Sequence, residues 1–235
     1  MRIHSFESAA AVDGDGVRYC IFLRGCPLRC IYCHNPDTWE MGGDDVSVEQ
    51  VAKKILRYKP YFKNGGGVTF SGGEPLLHSE DITSLGEILK TDNIGYAIDT
   101  SGCVELTESV KKAVDGSDLI ICDLKFWDAE SYLKYTGGSF EKVERFLEYC
   151  NEAEKRLWIR TVVVPNINDN IEIMNKYLNI LKKIKNIEKY KLLPFHTMGF
   201  EKYEKLELQN PLSSTKAMDR TKLSELQKYM DNNLF

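Results

Sequence analysis

The chain alternates between short apolar runs and longer amphipathic segments. The stretch from Ser47 to Tyr58 carries apolar residues at helical spacing, and Ser47 followed three residues later by Gln50 is a capping-box pattern. We predict strands at residues 19–23, 67–70, 95–99, 118–124, 157–164 and 189–195, and helices at residues 47–58, 79–89, 106–114, 140–153, 170–184 and 215–232. Six strands, most of them linked by helices, are typical of βα units in a parallel sheet.

We therefore expect an α/β fold. Six βα units are too few to close an eight-stranded barrel, so the predicted architecture is a partial, open (β/α)6 barrel. A length of 235 residues suits one domain, which we place at residues 1–235 with a terminal helix at about 215–232. Residues 198–214 are polar and contain Pro211, so we expect them to be irregular.

The composition excludes several partner classes. The chain has 31 Lys and Arg residues against 35 Asp and Glu residues, a formal net charge of −4, whereas a nucleic-acid-binding protein needs a basic surface. No apolar run approaches the ~18 residues of a membrane span, and the N-terminus lacks the apolar segment of a signal peptide. We therefore expect a cytoplasmic protein that binds neither nucleic acid nor a membrane.

Three of the seven cysteines lie close together, directly after the first predicted strand. They are Cys26, Cys30 and Cys33, and we call residues 25–35 the cysteine segment. The other four are scattered singly, which suits a reducing compartment, and we expect them to be buried: Cys20, Cys103, Cys122 and Cys150.

Three closely spaced cysteines indicate a metal site. Structural zinc normally has four protein ligands, whereas a [4Fe–4S] cluster held by three cysteines keeps one iron free to bind a small molecule. Zinc would need His34 or Cys20 as its fourth ligand, and adjacent Cys33 and His34 would close poorly on one ion. Three arginines flank the segment, either as surface charge or beside an anionic cluster or partner: Arg18, Arg24 and Arg29.

A Cys-x3-Cys-x2-Cys spacing with an aromatic residue before the last cysteine is the signature of radical S-adenosylmethionine (radical SAM) enzymes. The chain also resembles, almost from end to end, the branch of this family that activates glycyl radical enzymes, and most of all the pyruvate formate-lyase activases. The matching segments are Ile3 to Ser8, Val12 to Gly14, Tyr32 to Asn35, Gly72 to Glu74, Asp99 to Thr100, Asp123 to Lys125 and Trp158 to Arg160.

The resemblance implies a barrel of the radical SAM type, with a [4Fe–4S] cluster on Cys26, Cys30 and Cys33 and S-adenosylmethionine (SAM) on the free iron. The expected reaction is reductive cleavage of SAM and removal of hydrogen from a glycine of a partner, pyruvate formate-lyase. Because no second Cys-x2-Cys group is evident, we expect electrons from another protein such as flavodoxin or ferredoxin. Two alternatives stay open: an activase of another glycyl radical enzyme, and a zinc-stabilised binding module.

Other candidate residues lie at the carboxyl ends of the predicted strands, where active sites gather in parallel α/β barrels. They are Ser71 to Glu74 after the second strand, Asp99 and Thr100 after the third, Asp123 and Lys125 after the fourth, Arg160 within the fifth and His196 after the sixth. Strand alternation puts Asp123 and Lys125 on one face. Asp123 inside an apolar strand must be paired or bind a cation, and an ion pair of Lys125 with Asp123 or Asp99 is the structural alternative.

The resemblance also implies roles for these residues. A monovalent-cation site beside the SAM carboxylate would consist of Asp99, Thr100 and Asp123. The residues that would bind SAM are Tyr32, Cys33, His34, Gly72, Gly73, Glu74, Asp123, Leu124, Lys125 and His196. Arg160 and Asp13 would act near the substrate peptide, although Arg160 could instead pair with an interior aspartate and His196 could be an ordinary rim histidine. Asp15 stands where the family pattern has proline, so the conformation of that loop stays open.

Overall fold

The computed structural model describes residues 1–10 and 12–235, and within them it contains seven β-strands and eight α-helices. The strands are β1 (Ile3–Ala10), β2 (Arg18–Leu23), β3 (Gly67–Gly72), β4 (Gly95–Thr100), β5 (Leu119–Asp123), β6 (Leu157–Val163) and β7 (Ile187–Pro194). The helices are α1 (Val48–Leu56), α2 (Ser79–Thr91), α3 (Glu108–Gly116), α4 (Ala129–Thr136), α5 (Phe140–Glu152), α6 (Ile171–Leu181), α7 (Phe200–Lys205) and α8 (Arg220–Leu234).

The seven strands of the described residues form one sheet in the order β1 to β7. Strands β2 to β7 are parallel, and each pairs with the next one in the chain, as expected for consecutive βα units. Strand β1 pairs antiparallel with β2 and lies at one edge, while β7 lies at the other. The fold is therefore an open barrel of six parallel strands with one antiparallel strand added, which confirms the predicted fold class.

The sequence interpretation was wrong in leaving out β1. Most residues of this edge strand are half-buried or exposed, and they mix polar with apolar side chains, because an edge strand is covered less completely than a central one. The strand therefore has no apolar run that distinguishes it from a loop. Its pairing places Phe6 opposite Ile21, with irregular register on both sides.

Two short helices, α4 and α7, lie where we predicted none. Helix α4 is marked by its ends: the Asp128 carboxylate accepts a hydrogen bond from the Ser131 N–H (2.8 Å), and Gly137 follows its last turn with a φ of +71°. Helix α7 lies inside the segment that we expected to be irregular. Helix α8 begins at Arg220 and not at about 215, because the Asp219 carboxylate caps its first turn.

The helices carry no membrane-spanning signal. Across residues 1–10 and 12–235, none of them is both long enough and apolar enough to cross a lipid bilayer.

The inner face of the barrel has two levels, whereas its outer face packs on the helices in one large apolar core. Near the amino ends of β4, β5 and β6, a separate apolar cluster consists of Ala97, Leu119, Ile121 and Trp158. We call this cluster the barrel floor. Two residues beyond Ala97, Ile121 and Trp158, the same face carries charged side chains: Asp99, Asp123 and Arg160.

The loop between β1 and β2 is held against the barrel by Arg18, which lies at the amino end of β2 and not beside the cysteine segment as we had interpreted it. The buried Arg18 guanidinium donates to Thr69 Oγ1 at 3.0 Å, and the Thr69 hydroxyl donates to the Asp13 carbonyl at 2.6 Å. Asp15 in the same loop pairs with Arg156, just before β6, at 3.0 Å. These contacts position Asp13 at the rim of the barrel.

Candidate active site

A cavity of about 350 Å³ opens at the carboxyl ends of the parallel strands. Most of the predicted site residues line it: Asp13, Cys26, Cys30, Tyr32, Cys33, His34, Gly72, Gly73, Asp99, Thr100, Asp123, Lys125 and Arg160. Three other predicted site residues are not among the described residues that line the cavity: Glu74, Leu124 and His196. The fold thus brings together side chains from strands that are far apart in the sequence.

The cysteine segment is held on two sides by backbone hydrogen bonds. On one side, the Cys26 N–H donates to the Trp39 carbonyl at 3.0 Å. On the other side, the N–H groups of Arg29 and Ile31 donate to carbonyls in the last turn of α4, at 2.7 and 3.0 Å. The segment is thereby fixed without regular secondary structure of its own, and the unpredicted helix α4 supplies half of its support.

The three clustered cysteines differ in the extent of their burial, but in all three burial is the main influence on the pKa of the thiol. Burial raises the pKa of Cys26 to about 11 and that of Cys30 to about 12, and it raises the pKa of Cys33 as well. Thiolates are the metal-binding form of cysteine, and the positive charge of a bound metal favours them. Three sulfur donors from one segment on the wall of one cavity fit a [4Fe–4S] cluster with one open iron.

The geometry does not supply a tetrahedral zinc site. The His34 ring stacks on His196 with 3.9 Å between ring centroids, and Cys20 is fully buried in the middle of β2. In the part of the chain that the structure describes, no three His, Cys, Asp or Glu side chains approach closely enough to hold one metal ion.

Around the same cavity, Arg160 joins the acidic side chains of the rim. Its guanidinium donates to Asp99 at 2.5 Å and to Asp123 at 2.8 Å, and it lies 3.9 Å from Asp13. Lys125 donates to Asp123 at 3.3 Å. The ion pairs that the sequence offered as structural alternatives, Arg160 with an interior aspartate and Lys125 with Asp123, are thus present.

The two aspartates that share Arg160 differ in acidity. Burial raises the pKa of Asp99 to about 6, and the charge of Asp123 adds to this effect while Arg160 opposes it. Burial also acts on Asp123, but Arg160 and Lys125 outweigh it and lower the pKa of that carboxyl to about 2. The second cation explains the difference, because Lys125 contacts Asp123, whereas Asp99 receives a hydroxyl hydrogen bond from Ser71.

Glu74 is fully buried and binds protein groups. Its carboxylate accepts hydrogen bonds from the Thr100 hydroxyl (2.6 Å), the Ser101 N–H (2.9 Å), the Ser101 hydroxyl (2.5 Å) and the Leu76 N–H (3.1 Å). Glu74 therefore ties the end of β3 to the end of β4. Thr100, predicted as a cation ligand, donates its hydroxyl hydrogen to Glu74. The other two predicted cation ligands, Asp99 and Asp123, both bind the Arg160 guanidinium, which lies between their carboxylates.

The glycine pair after β3 also has a packing role. A Cβ atom on Gly73 would collide with the Gly25 carbonyl, so glycine lets this turn pack directly on the cysteine segment. The next N–H, that of Glu74, donates to the same carbonyl at 2.8 Å. The glycine pair thus connects β3 to the cysteine segment while its surface lines the cavity.

Two buried polar atoms of the predicted SAM-binding residues lack a partner within the described residues. The Tyr32 hydroxyl and His196 Nδ1 are buried and make no hydrogen bond there. Leu124 is fully buried, and its carbonyl accepts a hydrogen bond from the Thr161 hydroxyl at 3.0 Å. Buried polar groups without partners cost free energy, so the Tyr32 hydroxyl on the cavity wall fits a ligand that offers a hydrogen bond.

Sequence reasoning missed other residues of the wall, among them Trp39 and Ser101. Ser71, which we had placed among the candidates after the second predicted strand, lies on the inner face of β3 just before the glycine pair and lines the cavity as well. Trp39 has no periodic signal, since it follows the cysteine segment in an irregular stretch. Its place in the wall depends on the folding of that stretch.

Comparisons with known proteins identify the family of the chain. Residues 20–178 match the radical SAM superfamily. The chain is 45% identical over 231 residues to the pyruvate formate-lyase-activating enzyme of Clostridium pasteurianum, covering 97% of this chain and 96% of that protein. It is 38% identical over 239 residues to the enzyme of the same name from Staphylococcus epidermidis, covering 98% and 95%.

Solved structures agree at the level of the fold. A domain of a pyruvate-formate lyase-activating enzyme from Bacteroides vulgatus has a TM-score of 0.58 at 21% identity, covering 72% of this chain and 95% of that chain. SuiB of Streptococcus suis bound to S-adenosylmethionine has a TM-score of 0.67 at 19% identity, covering 88% of this chain and 44% of that chain. From its sequence match and its full-length relatives, the chain belongs to the radical SAM superfamily and, within it, to the pyruvate formate-lyase-activating enzymes.

Proposed function

We propose that this chain activates pyruvate formate-lyase: it cleaves SAM reductively and removes a hydrogen atom from the α-carbon of one glycine, leaving a glycyl radical on that enzyme. The observation that carries this function is the convergence of three cysteine thiols on a cavity that is also lined by aspartates, a lysine and an arginine. The full-length relatives at 45% and 38% identity carry the name of this activity.

The cysteine segment is the part of the chain that would hold the [4Fe–4S] cluster, through Cys26, Cys30 and Cys33. When bound, the cluster and SAM supply the electron and the radical that the reaction requires. The chain itself orients and shields them, because the segment is pinned on both sides and Cys30 is buried. A segment fixed in this way loses little conformational entropy when it binds the cluster.

The charged rim of the cavity would bind SAM and a cation. We assign SAM binding to the residues of the cavity wall and its surroundings: Tyr32, Cys33, His34, Gly72, Gly73, Asp123, Lys125 and His196. Glu74 and Leu124 would support this site from behind, since both are fully buried. A monovalent cation on Asp99, Thr100 and Asp123 would compete with the Arg160 guanidinium for the same carboxylates.

Arg160 and Asp13 would meet the glycine-bearing loop of the partner enzyme. The guanidinium of Arg160 is planar and can exchange a carboxylate for a peptide carbonyl without losing its charge. Asp13 lies 3.9 Å from it on the loop between β1 and β2. Glycine suits this reaction because it has no side chain to hinder the approach to its α-hydrogen.

Electrons would come from another protein, such as flavodoxin or ferredoxin, because the chain carries one group of closely spaced cysteines. We also keep cytoplasmic location as a prediction. It is supported by the seven thiols of the described residues, all of which are unpaired, as in a reducing compartment.

The rival functions have weaker support. The relatives carry the pyruvate formate-lyase-activating name, which does not favour another glycyl radical enzyme as the substrate. A zinc-stabilised binding module is not favoured either, because His34 stacks on His196 and Cys20 is buried within β2.

The proposal is tested by electron paramagnetic resonance on anaerobically reconstituted, reduced protein. Addition of SAM should perturb the cluster signal, and addition of pyruvate formate-lyase should then produce a long-lived organic doublet on the partner, together with methionine and 5′-deoxyadenosine. The Cys30→Ala variant is the control and should lose the cluster signal and the doublet together. A wild-type cluster that cleaves SAM but gives no doublet would refute pyruvate formate-lyase as the substrate.

A further inference from the structure

Thr69, on β3, joins the loop between β1 and β2 to the wall of the barrel. It is fully buried and lies two positions before Ser71, so both side chains are on the inner face of the strand. The Thr69 hydroxyl donates to the Asp13 carbonyl at 2.6 Å and accepts a hydrogen bond from Arg18 Nε at 3.0 Å. A hydroxyl has one hydrogen and two lone pairs, so this one acts as donor and acceptor at once. It thus connects the loop to a strand 56 positions away.

The Arg18 guanidinium that supports this hydroxyl is itself fixed. It is buried, and it also donates to the carbonyls of Gly65, at 3.0 Å, and Val68. A Cβ atom on Gly67 would lie 3.2 Å from Arg18 Nη1, and one on Gly14 would lie 3.1 Å from Arg18 Nε. The guanidinium therefore fills the space that side chains at these two glycine positions would need. The hydroxyl receives its hydrogen bond from a donor that has little freedom to move.

Asp13 lies where two cavities meet. It lines the active-site cavity, and it also lines a neighbouring cavity of about 450 Å³ whose wall includes Trp158 of β6 and Lys191 of β7. Arg160 lines both cavities as well, 3.9 Å from Asp13. A peptide segment that lies in the neighbouring cavity would therefore reach the active-site cavity beside Asp13 and Arg160.

We propose that Thr69 is a positioning residue for substrate recognition: its hydroxyl fixes Asp13 at the place where the glycine-bearing segment of the partner enzyme enters the active-site cavity. This inference rests on the proposed function, in which Asp13 and Arg160 meet that segment. Thr69 is not among the described residues that line the cavity, so it acts through Asp13 and contacts neither SAM nor the reacting glycine.

The physical reason is conformational entropy. A loop that is already held in its binding conformation loses less freedom when the partner binds than a loop that must first be ordered. The hydrogen bond from Thr69 fixes the main chain at Asp13, and a fixed main chain limits the positions that the Asp13 carboxylate can take. Valine has nearly the shape of threonine but no hydroxyl, so Thr69→Val would leave the Asp13 carbonyl and Arg18 Nε without this partner.

The first test measures the rate of glycyl radical formation by Thr69→Val at a series of pyruvate formate-lyase concentrations. The loss of one buried hydrogen bond should raise the concentration that gives half the maximal rate about tenfold. The maximal rate, the cluster signal and the response of that signal to SAM should change little, because Thr69 lies outside the cavity wall. An unchanged half-saturating concentration in a folded variant with full iron and sulfide content would overturn the inference.

Two matched variants separate the hydrogen bond from general packing. Thr69→Ser keeps the hydroxyl and should return the half-saturating concentration close to that of the wild type. Thr83→Val removes a threonine hydroxyl that donates to the Ser79 carbonyl within α2, at 2.9 Å, and should also leave that concentration unchanged. A rise in either variant as large as in Thr69→Val would contradict the specific role of the Thr69 hydroxyl.

Hydrogen exchange of the cluster-loaded wild type, followed by mass spectrometry, remains informative even if Thr69→Val does not fold. The amides of residues 12–17 should exchange more slowly than those of an unstructured peptide of the same sequence, because Gly14 is buried and the Asp13 carbonyl is held. Exchange at the rate of the free peptide would overturn the inference and leave the proposed function intact. A wild-type protein that cleaves SAM and protects this loop but gives no doublet would instead contradict the proposed function, and with it the role of Asp13 in recognition.

Discussion

The barrel floor and the charged rim above it lie on the same face of the same three strands, two residues apart. On β4, β5 and β6 the floor residues Ala97, Ile121 and Trp158 are followed by Asp99, Asp123 and Arg160. The floor is an apolar cluster, whereas every charge of the rim has an opposite charge within 4 Å. A step of about 6–7 Å along a strand thus separates the apolar cluster from the charged side chains that line the cavity.

The difference indicates how this barrel tolerates charge in its interior. Arg160 lies beside both rim aspartates and Lys125 beside Asp123, so both cations favour the charged carboxylates, and removal of one partner leaves a buried charge unpaired. The floor has no such requirement, and its stability depends on packed volume. Substitutions at the two levels should therefore have different consequences for activity and for stability.

The largest effect is expected for Arg160→Ala. The substitution leaves Asp99 and Asp123 facing each other in a mostly buried site, so it should lower the free energy of unfolding by about 4 kcal/mol and abolish glycyl radical formation. Chemical denaturation and the doublet signal measure the two effects. The control is Arg156→Ala, which breaks exposed pairs and should cost less than about 1 kcal/mol. Equal stability losses in the two variants would contradict the importance of the rim network.

A smaller and purely structural effect is expected for Ile121→Ala in the floor. Ile121 is fully buried, and its truncation should cost about 3 kcal/mol through lost burial and the remaining cavity. SAM cleavage per mole of bound cluster should stay close to that of the wild type below the unfolding temperature. Denaturation and product analysis measure these quantities. A defect in SAM cleavage without a loss of stability would mean that the barrel floor and the charged rim do not have separate roles in stability and activity.

The smallest expected effect is a pH dependence of the free energy of unfolding that comes from Asp99. Because the pKa of Asp99 is raised to about 6 in the folded protein, the folded state binds a proton there more readily than the unfolded state does. This carboxyl therefore favours folding below the unfolded pKa near 4, and the contribution is lost as pH rises through about 6. The stability difference between the wild type and Asp99→Asn should change by about 1 kcal/mol between pH 5 and pH 7. The same difference at both pH values would mean that Asp99 does not titrate in this range.

Much of the site could be predicted from local patterns. Strand alternation put Asp123 and Lys125 on one inner face, and the cavity wall contains both. The spacing of the three cysteines indicated a metal site before any fold was known. The capping box at Ser47 and Gln50 starts α1 as predicted. These features depend on interactions between residues that are close together in the sequence, so they can be predicted from the sequence alone.

Other features depend on contacts between distant parts of the chain. The edge strand β1 lacks an apolar run because one side of it is open, and it is recognised by its pairing with β2. Glu74 was predicted to bind SAM as part of the glycine segment, and only the structure shows that its carboxylate is buried between the ends of β3 and β4, where it binds Thr100 and Ser101. Helix α7, in a segment that we expected to be irregular, carries Tyr203 to the back of Cys33.

The sequence alone determined the βα alternation, the grouping of three cysteines in one segment and the inward direction of the rim side chains, because each follows from spacing along a helix, a strand or a short segment. The tertiary structure decided which partner each of these groups binds. Arg160 reaches Asp99 across 61 positions of the chain, and Tyr203 reaches Cys33 across 170. A pattern of neighbouring residues cannot predict contacts between residues so far apart in the sequence, since these contacts depend on how the whole sheet curves and on which loops close over it.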